Sequence, residues 1–580
     1  MAGGFGKKWL SPGQIQTLRQ QASRALQQRD LATAIRVLQE ALATTRSLPT
    51  QQELHRDLGD LYRHQQTWDP AIRHYQEALR LHPNSPELLY RLGNIAVAQA
   101  RFSLAVDYYQ QALTLKPHDR AVLSNLAHAF LQLQQLDQAK RCYQELIAQD
   151  PQNVECLGSL AHLLMTAGQV EAAIEYYQQA ILLAPTDARL YNNLGNALHS
   201  IDRLDEAILA YQKTLQLRPT DPQAYNNLGI VLQENGQVAE AIHLYQEAIR
   251  RDPIAAAAHY NLGTALLSLG DWEQGWQEYE WRWMQPQATP RGFAQPVWDG
   301  TATACLLLHS EQGLGDTLQF VRYVVEVRQR CHRLLLECQP PLVSLLKTLA
   351  EVDEVIPQGS PLPAFDCHAS LLSLPRILQT RLDSIPPPRP FQLPSPLPPF
   401  TDRLANDPTA RKIGIVWATG YRPDLDLQRT YRQKSCPLGY FLELLDWPSV
   451  ALYSLQVGGN APDLDPFLPH PRLHPLAPHL KDFADTAAAI RQLDLVISVD
   501  TAVVHLAGSL GIPTWLLLPF ASDWRWLVNR RDSPWYPSLR LFRQSQAGDW
   551  QGVWQAVKQS LALEWTLHSN RDPSHPIDYA

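Results

Sequence analysis

The chain has 580 residues, which is enough for roughly three or four domains of ordinary size. With 45% hydrophobic and 18% charged residues it reads as a soluble globular protein, and a formal net charge of −7 without any basic block argues against nucleic acid as a ligand. No apolar run reaches the roughly 18 residues of a membrane span, Met1 to Leu10 lacks a signal's apolar core, and seven scattered cysteines without a C-x-x-C pair argue against a disulfide framework, so the expected location is the cytoplasm.

In chain order the first feature is a repeat. Leu58-Gly59, Leu92-Gly93, Leu126-Ala127, Leu160-Ala161, Leu194-Gly195, Leu228-Gly229 and Leu262-Gly263 recur every 34 residues. Tyr75, Tyr109, Tyr143, Tyr177, Tyr211, Tyr245 and Tyr279 keep the same register, and Pro83, Pro117, Pro151, Pro185, Pro219 and Pro253 close six of the copies. Period and residue order match the tetratricopeptide helix–turn–helix unit, in which a small residue lets the first helix approach its partner, aromatics fill the seam and proline ends the second helix. A worn copy with a connecting loop about three residues longer precedes them, from Gln14 to Leu48, so about eight repeats over 12–286 are expected to wind into a superhelix with a concave face. Asn125, Asn193, Asn227 and Asn261 stand just before the Leu–Gly pair; Arg91 and Ser159 interrupt the series. An amide can donate to and accept from any peptide unit, so these positions suit either a ladder that holds an extended peptide or a tolerated polar site on the inner turn. The last repeat carries four tryptophans between Asp271 and Trp283, an aromatic surface that predicts docking onto the next domain.

From Thr301 the period changes. Strands are expected at Cys305–His309, Arg333–Glu337 and Glu354–Ile356, with helices from Leu318 to Arg330 and from Leu342 to Leu349, which makes 296–384 a first Rossmann-like lobe. A proline-rich linker occupies 385–410. A second lobe over 411–566 has expected strands at Lys412–Trp417, Ala451–Leu455, Asp494–Val499 and Thr514–Leu518. The fold class is therefore α + α/β: a helical solenoid followed by two Rossmann-like units with a ligand cleft between them.

Two turns at strand carboxyl ends carry candidate chemistry. In Glu311–Asp316, Gly313 and Gly315 allow positive φ and close backbone approach beside Gln312, and Asp316 sits where a helix cap or a catalytic carboxylate would sit. In Ser498–Pro513, Asp500 and Thr501 can cap a helix whose free amides and dipole suit a diphosphate, while His505 either faces that anion or fills the core.

Gly-Leu-Gly-Asp316 together with Asp500-Thr-x-x-x-His505-Leu-Ala-Gly-x-Leu-Gly511-x-Pro513 resembles the lipopolysaccharide heptosyltransferases, which have the GT-B fold. The chain is also similar to bacterial proteins that join tetratricopeptide repeats to such a domain, whose marks here are Tyr279-Glu-Trp-Arg-Trp283, Trp298-Asp-Gly300, Arg322-Tyr323, Gly414-Ile-Val-Trp417, Asp523-Trp-Arg-Trp526 and Arg540-Leu-Phe-Arg-Gln544. In architecture the chain is similar to protein O-linked N-acetylglucosamine transferases, whose repeats carry an asparagine ladder. The resemblance implies an inverting glycosyltransferase that uses a nucleotide-diphosphate sugar, without a metal or other cofactor, on a protein or peptide acceptor recruited by the repeats. It assigns Asp316 as general base, Lys434 to the departing diphosphate, and Asp500, Thr501, Ala502 and His505 to the nucleotide side. Arg525 and Arg540, with Arg543, are further diphosphate candidates. The heptosyltransferases carry glycine at the Ala502 position, and Tyr421 to Arg432 departs from their pattern. Those departures suit the alternative, a non-enzymatic repeat scaffold with an inactive GT-B domain.

Overall fold

The computed structural model describes residues 9–286, 288–393, 411–420 and 425–569. Its contacts divide the chain into two compact units, Met1–Ala197 and Leu198–Ala580.

Sixteen consecutive helices, Pro12–Gln27 to Trp272–Tyr279, form eight pairs among the described residues. Several start for a local reason. Ser85, Asp119, Asn153 and Asp221 accept a backbone N–H from the first turn of the helix they precede, which satisfies amides the helix itself cannot. Within a pair, the repeated glycine is a contact point: a Cβ on Gly229 would lie 2.6 Å from the Tyr245 ring, and one on Gly59 2.5 Å from that of Tyr75. The alanines opposite, such as Ala241 and Ala71, are fully buried. The extra residues that follow the worn first copy do not lengthen a loop. They extend the Leu48–His64 helix to 17 residues where later first helices have 13 or 14, because Pro49 is compatible with a first helical turn.

The second unit holds the last repeats together with two parallel sheets. Strands β1 (Thr303–His309), β2 (Cys331–Cys338), β3 (Glu354–Pro357) and β4 (Cys367–Ser370) are ordered β3-β2-β1-β4. Strands β5 (Arg411–Val416), β6 (Val450–Ser454), β7 (Leu473–Pro475), β8 (Leu495–Val499), β9 (Thr514–Leu518) and β10 (Leu539–Arg543) are ordered β10-β9-β8-β5-β6-β7. The second order is that of a doubly wound dinucleotide-binding sheet, with its reversal between β5 and β8. Near-continuous apolar runs such as Leu306-Leu-Leu308 and Leu516-Leu-Leu518 are wholly buried, as parallel strands covered on both faces require. Strands β4, β7 and β10 were not expected from sequence: β4 and β7 are only four and three residues long and polar in part, and β10 carries Arg540 and Arg543 among its apolar residues.

The tryptophan helix joins this assembly. Trp272 stacks on Trp535 with centroids 5.0 Å apart, and Trp276 meets Trp524 edge-on at 5.2 Å and Phe320 at 6.2 Å. Arg322, 2% exposed, donates to the Trp535 and Pro386 carbonyls, so one side chain ties the first sheet's flank to the second lobe and to the start of the proline-rich stretch. Phe391 is buried in the same core; the remainder of that linker, 394–410, lies outside the described residues.

Gly229→Ala is expected to lower stability by about 1–3 kcal/mol through overpacking against Tyr245. Gly439→Ala, where nothing lies within 4 Å of the new methyl, should leave it unchanged or slightly raised. Thermal unfolding midpoints decide this, and equal losses at the two positions would refute the contact argument.

Candidate functional site

Both candidate turns follow strands that sit at a reversal of strand order. Strand β1 lies between β2 and β4, and β8 lies beside β5, so the loops after β1 and β8 leave their sheets where adjacent connections part to opposite faces. The helices that follow, Leu314–Phe320 and Ala502–Ser509, pack directly on each other. Gly315 makes this possible: a Cβ there would lie 2.8 Å from His505 Cδ2 and 3.5 Å from Ala502 Cα. Neither Gly313 nor Gly315 has a positive φ, so close approach and not backbone freedom is what Gly315 supplies.

Asp316 has two partners. One carboxylate oxygen accepts the Gly313 N–H at 2.8 Å, closing the first helical turn, and the other accepts Arg525 Nη2 at 2.5 Å. Arg525 also donates to Asp523 Oδ1 at 2.8 Å and Gln319 Oε1 at 2.8 Å, with its plane over the Trp524 ring. Burial pushes the Asp316 carboxyl above its ordinary range, against the pull of Arg525. Asp523 is half-buried, yet Arg525 and then Lys434 hold its carboxyl below its ordinary range. Asp523 was not among the residues expected from sequence. It lies in Asp523-Trp-Arg-Trp526, and an acid beside an arginine there was the available signal.

Before the Ala502–Ser509 helix, Lys434 Nζ lies 3.1 Å from Asp500 Oδ2, and that carboxylate raises its pKa despite burial. Asp500 is thus an ion-pair partner, and Thr501, the N-cap residue, makes no side-chain cap bond to the helix. Lys434 is brought there by the Leu425–Lys434 helix, which Arg429 anchors to Asp202 at 2.8 Å and Glu234 at 2.6 Å on the repeats of the same unit. This helix occupies much of the segment that departs from the heptosyltransferase pattern; 421–424 lie outside the described residues. Lys434 retains 26% of its side-chain surface and Asp316 17%, so both can be reached from solvent.

His505 takes the core alternative. Its Nδ1 lies 3.1 Å from Tyr536 Oη, its ring stacks on Trp526, and burial lowers its pKa to about 4. Arg540 is elsewhere, pairing with Glu564 at 3.2 Å and lying against Trp515 and Phe542. Gln312 lines a cavity of about 480 Å³ with Tyr260, Asn261, Trp283 and Glu311, beside the Gly313 turn. Of the asparagine series, Asn125 donates to Asn94 at 2.8 Å and to Tyr90 Oη at 3.1 Å, and Asn261 donates to Asn226 at 2.9 Å. Asn193 lies half-buried on its helix, and Asn227, also half-buried, is one residue from Asn226. The amides of Asn125 and Asn261 are therefore partly spent within the array.

Profiles of the tetratricopeptide repeat match residues 50–118, 196–236 and 226–279, and that of the cytochrome c-type biogenesis protein H TPR domain matches 90–191. The chain is a tetratricopeptide-repeat protein with a C-terminal α/β region. It is 27% identical over 324 residues to Protein FlbA of Caulobacter vibrioides, an alignment that covers 51% of this chain and 53% of that protein, so the chain spans about half the length of the curated relative. Among solved structures, MamA is 24% identical with a TM-score of 0.27, covering 28% of this chain and 95% of that one. A tetratricopeptide repeat protein from Parabacteroides merdae is 17% identical with a TM-score of 0.33, covering 43% and 98%. The tetratricopeptide repeats mark a protein-interaction scaffold. No helix among the described residues is long and apolar enough to cross a membrane.

The buried, neutral His505 makes a pH prediction. Its folded pKa lies below the ordinary 6.5, so between pH 6.5 and about 4 the unfolded chain binds the proton that the folded one refuses. Stability should fall as pH drops through that window, by roughly 1.4 kcal/mol per unit from this group. His505→Phe should flatten that slope in melting curves taken from pH 7.5 to 4.5; an unaltered slope would show the imidazole is not held neutral.

Proposed function

We propose that the α/β region is an inverting glycosyltransferase that takes a sugar from a nucleotide diphosphate and delivers it to a protein or peptide held by the repeats. The observation that carries this reading is the meeting of two helix starts from two strand-order reversals, with Asp316 on one and the Lys434–Asp500 pair beside the other. In such a reaction Asp316 takes the proton of the attacking hydroxyl, and burial, by raising its pKa, makes it the better base. Lys434 and the amides that open the Ala502–Ser509 helix face the negative charge that builds on the departing diphosphate. The 480 Å³ cavity beside Gln312, in the turn that leads to that base, offers room for an acceptor segment and is lined by Asn261.

The second reading is a scaffold without turnover, and one observation favours it. Arg525 occupies an oxygen of Asp316, so the base must exchange a guanidinium partner for the acceptor hydroxyl before it can act.

Thermal-shift measurements against UDP-, GDP-, ADP- and CMP-sugars distinguish the two. A nucleotide sugar at a hundredfold excess over its Kd should add about 2.7 kcal/mol of stability, and no shift with any of them would refute the enzyme reading. Where transfer or donor hydrolysis is measurable, Asp316→Asn should abolish it with donor binding nearly unchanged. Equal turnover by that variant would remove Asp316 from the mechanism.

A further inference from the structure

Arg543, at the end of β10, is a guanidinium without a counter-charge. It donates to Ser522 Oγ and to the carbonyls of Leu527, at 2.6 Å, and Trp526, at 3.3 Å, all neutral acceptors. Its Nε has no hydrogen-bond partner, and among the described residues Arg543 forms no ion pair. Burial lowers its pKa to about 10, with no acid nearby to restore it. This differs from Arg525 and Arg429, each of which is paired with two carboxylates.

The same side chain lines a cavity of about 570 Å³ whose opposite wall belongs to the last repeats: Gln233 and Glu234 from one helix, Asn261 and Thr264 from another, with Ser522 and Asn529 on the sheet side. Glu234 is the one acid in that wall, and its charge is already taken by Arg429 at 2.6 Å and His199 at 2.7 Å. A roomy cavity with one uncompensated cation, whose single acid is already engaged in ion pairs, favours an anion, because a charge-assisted bond to a guanidinium replaces the missing counter-ion. Asn261 lines this cavity and also the one beside Gln312, so a chain lying along these repeats passes from one to the other.

We propose that the cavity beside Arg543 binds an anionic side chain, a carboxylate or a phosphoryl ester, of a peptide held by the last repeats. This rests on the reading of the repeats as peptide-holding and deepens it, since it makes the array select for charge at one position. It does not require turnover at Asp316.

The test uses the full chain and three fluorescent peptides, uncharged except at one central residue, which is Glu, phosphoserine or Gln. Anisotropy titration should give at least about tenfold tighter binding for one anionic peptide than for the Gln peptide. Preference for phosphoserine over Glu names the phosphoryl ester, and the reverse names the carboxylate. Arg543→Gln should erase the preference. Should that variant fail to fold, Ala521→Glu decides: Ala521 is exposed and lines the cavity, so the substitution supplies a resident carboxylate and should erase the preference in a protein that melts like the parent. Equal binding of all three peptides, or a preference that survives Ala521→Glu, overturns the charge selection while leaving peptide holding intact. Binding of none of them overturns both.

Discussion

Arg525 holds the centre of the second unit. One guanidinium is shared by Asp316 from the first sheet's helix, Asp523 from its own turn and Gln319, and its flat face rests on Trp524. Removing a charge of that kind from water is costly unless every donor finds an acceptor, so the surrounding groups must arrive together. That requirement ties three elements to one geometry: the Leu314–Phe320 helix, the turn after β9, and the tryptophan helix, whose Trp276 packs edge-on against Trp524. The candidate chemistry sits on this junction, and a change in Asp316 is therefore felt by packing as well as by any bound hydroxyl.

The charges around it fall into two balanced pairs linked through Asp523. Asp316 faces Arg525 and Asp500 faces Lys434, while Asp523 feels both cations and is held acidic by them. A diphosphate arriving at Lys434 would compete with Asp500, and an acceptor hydroxyl would compete with Arg525 for Asp316. On the proposed reading each incoming group would replace an existing charge interaction, so the net gain would be the difference between two strong terms. Arg429 adds a mechanical link, since the helix that delivers Lys434 is held to the repeats through Asp202 and Glu234.

The repeats contribute more than a tether. Their last helices share a hydrophobic core with both sheets, and their polar face lines cavities that end at the Gln312 turn and at Arg543. The proposed peptide site and the environment of the candidate chemistry are consequently built from the same helices.

What the sequence determined by itself was everything governed by period. The 34-residue repeat, the glycine-to-tyrosine seam and the long apolar strands are local patterns, and each has one satisfactory packing, so helices and central strands were legible. The short strands β4, β7 and β10 were not, because three to five residues with mixed polarity are extended only when a neighbouring strand pairs with them. Side-chain roles were the least legible part. Gly315 suited either backbone freedom or close approach and supplies the second; Asp500 looked like a cap and is a lysine's partner; Asn125 suited a peptide ladder or a tolerated polar site and is bonded to its neighbours. Each depends on which residue of a separate element, distant in the chain or one repeat away, comes into contact. Only the tertiary structure sets that, since ion pairs and close contacts are decided by where separate elements are packed and leave no periodic trace in the chain.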